Sequence, residues 1–233
     1  MSFNGKTVVI TGAAGNLARA VAKRFAAEGA TLVLIGQHME SLPIEYRSEG
    51  RHAIFELDLL KMDEVSVAID EVISRFGRID VLCNLAGGFR MGEAVHEISN
   101  VDWDFLLDVN VRSVLNMAKA VVSHMVAAGS GHVVNVGAAA AQKGAAQMGG
   151  YIAAKSVVMR LTETMSAELK DKGVHVNCVL PTIIDTPENR SAMPEADPSR
   201  WVKTEDMANV IFFLASDQAR AIHGASLPVS GLV

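Results

Sequence analysis

The sequence is poor in the residues on which several classes of protein depend. Of 233 residues, two are cysteine and 5% are aromatic, and acidic residues outnumber basic ones by 26 to 21. The net charge of -5 is spread along the chain, which is unlike the basic surface of a nucleic-acid-binding protein. No run reaches the roughly 18 apolar residues that span a bilayer, and Met1 to Lys6 do not resemble a signal segment. We expect no nucleic-acid partner, no membrane contact and a cytoplasmic location.

The cysteines and histidines do not have the spacing of a metal site. Cys83 and Cys178 lie in apolar runs, which indicates buried free thiols and a reducing compartment. Four histidines occur singly and are expected to be surface or capping residues: His96, His124, His132 and His175. The sequence predicts no bound metal.

Half of the residues are hydrophobic, and their arrangement alternates between two periods. Short β-branched runs are separated by longer segments of helical period, which is typical of βα units and a parallel sheet. The predicted strands cover 6–11, 31–36, 52–58, 80–85, 132–137, 174–180 and 225–229. The predicted helices cover 16–28, 62–76, 100–128, 151–171 and 204–216. Gly29, Gly77 and Gly173 each close a helix, where a left-handed residue is common.

One segment has the composition of a loop. Residues 181–200 contain four prolines and separate the sixth strand from the last helix. A loop of this length in a compact domain is usually functional, and it would project from the carboxyl ends of the strands. We refer to residues 181–203 as the substrate-side segment. The alternative is a mobile surface excursion.

The first predicted strand leads into a turn rich in small residues. Residues Thr11 to Ala18 read TGAAGNLA, and a helix follows. Small side chains at such a turn let backbone amides approach a pyrophosphate, although a purely structural turn remains the alternative. Asn16 is one of the few residue types besides glycine that tolerate the left-handed conformation, so we expect it there.

The end of the second strand bears on the choice of dinucleotide. An acid there favours NAD and a basic residue favours NADP, and the sequence reads Gly36-Gln37-His38. No carboxylate would repel a 2′-phosphate and no Arg or Lys would hold it, so NADP(H) is slightly preferred over NAD(H). Asp58, followed by Leu59, ends the third strand and is placed to accept from an adenine amino group. A helix cap is the alternative reading.

Tyr151 and Lys155 lie four residues apart in a predicted helix, which puts both side chains on one face. A phenol that works as an acid or base near neutral pH needs a pKa below its usual value of about 10. A nearby lysine ammonium, reinforced by an oxidised nicotinamide, favours the phenolate and so lowers that pKa. The same spacing also occurs by chance in exposed surface pairs.

Four motifs, in this order, resemble the short-chain dehydrogenase/reductase family over nearly the whole chain. They are Thr11 to Ala18, Asn84-Leu85-Ala86-Gly87, Asn110, and Tyr151 to Lys155. The resemblance implies an α/β fold, with a doubly wound, Rossmann-type sheet of seven parallel strands, helices on both faces and a single domain over 1–233. It implies an NAD(P)-dependent oxidoreductase. It also implies that helices 100–128 and 151–171 pair between subunits in a dimer or homotetramer.

The resemblance further implies roles for individual residues. Tyr151 would supply the proton as hydride moves, Lys155 would hold the nicotinamide ribose, and Asn110 would hold a water that relays protons to Lys155. With the residues from the turn and strand ends, the expected cofactor-binding set is Gly12, Gly15, Asn16, Leu17, Gln37, Asp58, Leu59, Asn84, Ala86, Gly87, Lys155, Pro181, Ile183 and Thr186.

Two departures from the family pattern bear on the branch of the family and on its substrate. Ala138 stands where the family has a serine, thirteen residues before the tyrosine, and the glycine turn has Asn16 and Ala18 where most members have glycine. Both departures resemble the dihydropteridine reductases, as does the late segment from Leu180 to Trp201. That branch reduces a quinonoid dihydropterin without building an alkoxide, which would explain Ala138. That branch also prefers NADH because of an acidic residue after its second strand. This sequence has Gly36-Gln37 there and lacks the acid.

The sequence therefore predicts a reductase of a small conjugated, pterin-like or quinonoid substrate. A conventional ketone or 3-oxoacyl reductase is one alternative. A catalytically silent dinucleotide-binding sensor or scaffold is another, which Ala138 and Asn16 permit.

Overall fold

Seven parallel strands form the central sheet of the computed structural model, which describes residues 2–47 and 50–233. The order across the sheet is β3-β2-β1-β4-β5-β6-β9, and every neighbouring pair is parallel. The strands are β1 Thr7–Thr11, β2 Thr31–Gly36, β3 Ala53–Glu56, β4 Val81–Asn84, β5 Gly131–Val136, β6 Val174–Pro181, β7 Ile184–Asp185, β8 Val202–Lys203 and β9 Ser226–Val229. All seven predicted strands are confirmed, and β7 and β8 form a separate small sheet.

Helices cover both faces of the large sheet. They are α1 Asn16–Ala27, α2 Met62–Phe76, α3 Asn100–Leu107, α4 Ser113–Ala128, α5 Gly149–Leu169, α6 Pro187–Ala192 and α7 Thr204–Leu214. Phe25 of α1 and Phe212 of α7 pack with Val8 and Ile10 of β1, whereas Val9 packs on the other face with α2 and α4. Alternate residues of β1 thus enter different cores, which explains its continuous apolar run. The doubly wound fold is confirmed.

The predicted helix 100–128 contains an irregularity that the sequence pattern does not reveal. The segment is helical throughout, but Asp108–Arg112 forms a π-helical turn between α3 and α4. In such a turn the backbone hydrogen bonds join residues five apart instead of four, and turns of this kind are frequent at functional sites. The substrate-side segment also has more structure than a loop, since it contains β7, α6, a 3-10 turn at Pro198–Arg200 and β8.

Left-handed backbone occurs at the predicted glycines but not at Asn16. Gly29, Gly77 and Gly173 have φ of +88°, +79° and +75°. The expectation for Asn16 is wrong, because Asn16 is the first residue of α1. Among the described residues, the non-glycine positions with positive φ are His38 at 55° and Gln147 at 61°.

Both cysteines are buried free thiols, as expected. Burial raises the pKa of the Cys178 thiol to about 11, and it raises that of Cys83 further. In the described ranges, no helix is both long enough and apolar enough to cross a bilayer.

The hydroxyl of Thr11 joins the ends of β1 and β4, on either side of the point where the strand order reverses. Its Oγ1 accepts from the backbone N–H groups of Leu85 at 3.0 Å and Ala86 at 3.1 Å, and it donates to the carbonyl of Cys83 at 3.5 Å. A Cβ on Gly12 would lie 2.9 Å from Ala86 Cα, so a glycine is required for this approach. These contacts fix the two strand ends between which a crevice opens.

At the opposite edge of the sheet, three histidines stack on one another. His132, the second residue of β5, lies beside His175 of β6 with ring centroids 4.9 Å apart, and the ring of His223 lies 4.6 Å from that of His175. The expectation that His132 and His175 are isolated surface or capping residues is wrong, since strand register brings them together. Burial, followed by the charge of His175, lowers the pKa of His132 to about 4.

Thr11→Val is expected to lower the free energy of unfolding by about 2–4 kcal/mol, because two backbone N–H groups lose their acceptor. Thr11→Ser keeps the hydroxyl and loses one methyl group, so a loss of at most about 1 kcal/mol is expected. Urea unfolding at pH 7 measures both. Equal stability of the two variants would show that the hydroxyl does not hold these strand ends together.

Acidification is expected to destabilise the protein through His132. The folded-state pKa of about 4 lies below the unfolded value of about 6.5. The stabilising contribution of the neutral ring is therefore complete above pH 6.5, and it falls by about 3 kcal/mol as the pH drops towards 4. Urea unfolding of the wild type and His132→Phe between pH 7 and pH 4 measures the difference. Parallel pH profiles for the two proteins would contradict this prediction.

Candidate functional site

A crevice of about 460 Å³ opens at the carboxyl ends of β1, β2, β3 and β4. Seven of the predicted cofactor-binding residues line it: Gly12, Gly15, Gln37, Asp58, Leu59, Ala86 and Gly87. Eight further lining residues were missed from the sequence: Ala14, Gly36, Leu57, Leu60, Phe105, Asp108, Val109 and Ser113. The first four are chain neighbours of predicted residues, whereas the others belong to the α3–α4 region, and sequence motifs give no signal for them.

The glycine-rich turn gives the crevice a positively polarised wall. Gly12 has a φ of +64°, and α1 begins at Asn16 with no side chain capping its amide groups. Free amides at the first turn of a helix, together with the helix dipole, bind phosphate groups. Asp58 lies on the far side of the crevice, where its carboxylate accepts from the N–H of Leu60 at 3.0 Å.

Other predicted cofactor residues lie apart from this crevice. Asn84 is buried on the side of the sheet that faces α5, and its Nδ2 donates to Asn135 Oδ1 at 2.8 Å. Asn84 Oδ1 has no hydrogen-bond partner. The position of Asn84 in β4 thus points its side chain into the interior, away from the residues that line the crevice.

The remaining predicted positions lie on α1 or in the substrate-side segment. Asn16 bonds to Glu188 of α6, and Leu17 packs against the core formed with α1. Pro181 ends β6 in the interior, the carbonyl of Ile183 accepts from Val202, and Thr186 caps α6.

Tyr151 and Lys155 lie one turn apart on α5, with Nζ 6.0 Å from the centroid of the tyrosine ring. Lys155 is 5% exposed, and its Nζ donates to the carbonyl of Val136 at 2.9 Å. Burial lowers the pKa of Lys155 to about 8. It raises the pKa of the Tyr151 phenol to about 12. Desolvation therefore dominates the pKa of Tyr151, while the Lys155 ammonium is directed at a carbonyl.

Asn110 lies in the π-helical turn and fixes the loop that follows β4. Its Nδ2 donates to the carbonyls of Gly88 and Leu106, both at 3.0 Å, and its Oδ1 accepts from the N–H of Gly88 at 3.2 Å. A Cβ on Gly87 would lie 2.9 Å from Asn110 Oδ1 and 3.3 Å from Lys155 Nζ. The structure therefore brings three predicted residues, Gly87, Asn110 and Lys155, to one point at the edge of the crevice.

The surroundings of Ala138 are apolar. This residue is 4% exposed and packs in a cluster with Ala154, Met159 and Leu180, against which Tyr151 also lies. The position that carries a serine in the resembling family thus holds a methyl group among hydrocarbon side chains.

Phe89 is a site residue that the sequence reading missed. Its ring meets that of Tyr151 edge to face, with centroids 4.8 Å apart and an interplanar angle of 84°. Phe89 is nevertheless 55% exposed. An aromatic residue directly after Gly87 and Gly88 is the sequence signal that could have identified it.

Within the described residues, no group of three or more His, Cys, Asp or Glu side chains is arranged to hold a metal ion.

Comparison with known proteins agrees with this geometry. The short chain dehydrogenase family profile matches residues 6–197. A 3-oxoacyl-[acyl-carrier-protein] reductase of Thermotoga maritima is 32% identical, over 99% of this chain and 98% of that protein. A D-threitol dehydrogenase of Mycolicibacterium smegmatis is 33% identical, over 98% of this chain and 93% of that protein.

Solved structures agree as well. An NAD+-bound xylitol dehydrogenase superposes with a TM-score of 0.90 at 27% identity, over 99% of this chain and all of that one. A gluconate 5-dehydrogenase of Burkholderia cenocepacia in complex with NADP and tartrate gives a TM-score of 0.90 at 29% identity, over 99% and 95% of the two chains. This chain therefore belongs to the short-chain dehydrogenase/reductase family of NAD(P)-dependent oxidoreductases.

Proposed function

We propose that the protein reduces a small, flat, conjugated substrate of the pterin-like or quinonoid type, with Tyr151 as the proton donor. The observation that carries this proposal is the Tyr151–Lys155 pair beside an apolar cluster that contains Ala138. The proposal also places the protein in the dihydropteridine reductase branch. This part rests on two sequence features, the glycine turn at Thr11 to Ala18 and the segment from Leu180 to Trp201.

The residues present fit a bound dinucleotide. The glycine turn and the free amides of α1 suit the diphosphate, and Gln37 and Asp58 lie where the adenosine half would be held. A Cβ at Gly87 would lie 3.3 Å from Lys155 Nζ, so the glycine keeps side chains away from the ammonium that would hold the nicotinamide ribose. When bound, the nicotinamide supplies the hydride.

Proton transfer follows from the two pKa shifts. With a pKa of about 12 the Tyr151 phenol is protonated at neutral pH, which is the form that a reduction requires. Loss of its proton leaves a phenolate whose charge is offset by the nearby Lys155 ammonium. Lys155, with a pKa of about 8, then returns a proton to the phenolate and takes up another from solvent, and Asn110 supports this step by fixing the loop next to Nζ.

The substrate class follows from the missing hydroxyl. A carbonyl that becomes an alkoxide needs a hydrogen-bond donor, and removing such a donor costs about 10²–10³ in rate. A quinonoid ring distributes the incoming electrons over a conjugated system, so it depends less on such a donor. The exposed face of Phe89 beside Tyr151 offers an aromatic wall for a flat ring.

The cofactor proposed is NADP(H) in preference to NAD(H). β2 ends without a carboxylate at Gly36-Gln37-His38, so the 2′-phosphate meets no negative charge from this strand. Arg19 of α1 donates to the carbonyl and hydroxyl of Ser41 and so holds the turn that follows His38. Of the two solved relatives, the xylitol dehydrogenase has NAD+ bound and the gluconate 5-dehydrogenase is in complex with NADP, so the family accommodates both.

A second candidate is an ordinary ketone or 3-oxoacyl reductase. The Thermotoga maritima relative favours it, because it matches nearly the full length of this chain and is described as a 3-oxoacyl reductase. Ala138 argues against it, since an alkoxide would form beside a methyl group.

The proposal also includes self-association and location. Exposed apolar side chains on α3 and α5, Val101, Trp103 and Val157, are suited to pairing between subunits in a dimer or homotetramer. Two buried free thiols support a cytoplasmic location.

Tyr151→Phe is expected to lower kcat by about 10²–10⁴, because the proton donor is removed while the ring is kept. Steady-state NADPH oxidation with the best substrate measures this. Fluorescence titration with NADPH is the control, and the dissociation constant should stay within about twofold of the wild type. Full turnover by Tyr151→Phe would contradict the assignment of roles.

A quinonoid dihydropterin is expected to be reduced at least about 100-fold more efficiently than a simple ketone. Ala138→Ser should raise kcat/KM for the ketone and leave that for the dihydropterin within a few-fold. Both substrates are to be compared with NADPH and NADH, and NADPH should give the lower KM. A wild type that favours the ketone would support the second candidate. Tight dinucleotide binding without turnover of either substrate would instead support a silent sensor or scaffold.

A further inference from the structure

A hydrogen bond joins the glycine-rich turn to the substrate-side segment. Asn16 Nδ2 donates to Glu188 Oε2 at 2.7 Å, across 172 positions of the sequence. Asn16 is the first residue of α1 and follows Gly15, which lines the crevice, while Glu188 lies in the first turn of α6. A glycine at position 16, as in most of the family that the sequence resembles, has no side chain with which to form this bond.

α6 and the residues before it form a unit that is fixed internally. The hydroxyl of Thr186 accepts from the N–H of Asn189 at 3.2 Å, and Asn189 Nδ2 donates to the carbonyl of Ile184 at 2.8 Å. Arg190 holds the carboxylate of Asp185 through two bonds, at 2.6 and 2.8 Å. These contacts let α6 move as one piece.

Within this unit, α6 itself is weakly attached to the rest of the molecule. No residue of α6 is buried, so little apolar area holds it against the sheet. The segment is anchored further along at Trp201 and Val202, which are 5% and 2% exposed. A segment with few buried contacts opens at a lower free energy than the core, which gives a single tether a measurable influence.

The acceptor of this tether is charged at neutral pH. Hydrogen bonds from the backbone N–H of Glu188 itself, and from the side chains of Thr186 and Asn16, lower the pKa of the Glu188 carboxyl group. A hydrogen bond to a carboxylate is stronger than one between neutral groups.

We propose that Asn16 and Glu188 are positioning residues, whose hydrogen bond holds α6 against the glycine-rich turn and so slows release of the dinucleotide. The inference rests on the proposed binding of a dinucleotide in the adjoining crevice. It assigns to Asn16 a role other than contact with the cofactor phosphates, and it gives the substrate-side segment a direct connection to the opposite half of the site.

The experiment compares Asn16→Ala, Glu188→Ala and the double variant with the wild type. Glu188→Gln keeps an acceptor for Asn16, and Glu195→Ala removes another exposed carboxylate of the same segment as a matched control. Hydrogen–deuterium exchange of residues 187–192 in the protein alone reports how often α6 opens. Stopped-flow displacement of NADPH and of NADH reports the dissociation rate.

Asn16→Ala and Glu188→Ala should each speed exchange and NADPH dissociation by about fivefold, as expected for the loss of one such hydrogen bond. The double variant should behave like either single variant, because both remove the same bond. Glu188→Gln should stay within about twofold of the wild type, and Glu195→Ala should match it.

Two results would overturn the proposal. One is unchanged exchange of residues 187–192 in both single variants. The other is multiplication of the two effects on dissociation in the double variant, which would mean that the residues act separately. If neither dinucleotide binds the wild type, the proposed function fails and the role in release fails with it, whereas exchange still measures whether the bond holds α6.

Discussion

The close approach of β1 and β4 at their carboxyl ends is the constraint from which the rest of the site follows. The Thr11 hydroxyl satisfies two backbone N–H groups of the neighbouring strand, and Gly12 leaves space for the Ala86 backbone. The chain leaves β1 on one side of the sheet and β4 on the other, so a crevice must open beyond this junction. Gly15 follows β1 and Gly87 follows β4, so the positions of the two strands place these glycines on opposite walls of the crevice.

Burial dominates the acidity of the phenol at the tyrosine–lysine pair. A rise in the phenol pKa from about 10 to about 12 corresponds to about 3 kcal/mol against the phenolate. The Lys155 ammonium lies 6.0 Å from the ring centroid and donates to the carbonyl of Val136. A shift of this ammonium towards the phenol would favour the phenolate. The carbonyl of Val136, which holds that ammonium, therefore influences the acidity of a residue on another element.

Much of the fold was predictable because it depends on local patterns. The strands of the large sheet are short apolar runs and most of the long helices have a regular period, so the order of these elements follows from the sequence. Predicted residues at strand ends, such as Gly12, Gln37 and Ala86, lie on the crevice because parallel strands end at one edge.

The features that the sequence does not reveal share a physical cause, which is contact between distant segments. Asn84 points into the interior because of its position in β4, and His132 meets His175 only through the register of two strands. The rise in the pKa of Tyr151 depends on burial by side chains from several elements. The bond from Asn16 to Glu188 joins residues too far apart in sequence for any motif to connect them.

The π-helical turn at Asp108–Arg112 changes the direction in which side chains face between α3 and α4. Each residue of a regular helix advances the facing direction by about 100°. On the far side of the turn Met117, Val121 and Met125 fill the core, while Asn110 faces the loop after β4. Deleting one residue from the turn would regularise the helix but would direct either the methionines or the asparagine away from its partners. Insertions and deletions in this stretch are thus constrained by both the core and the site, although its hydrophobic pattern resembles that of any other helix.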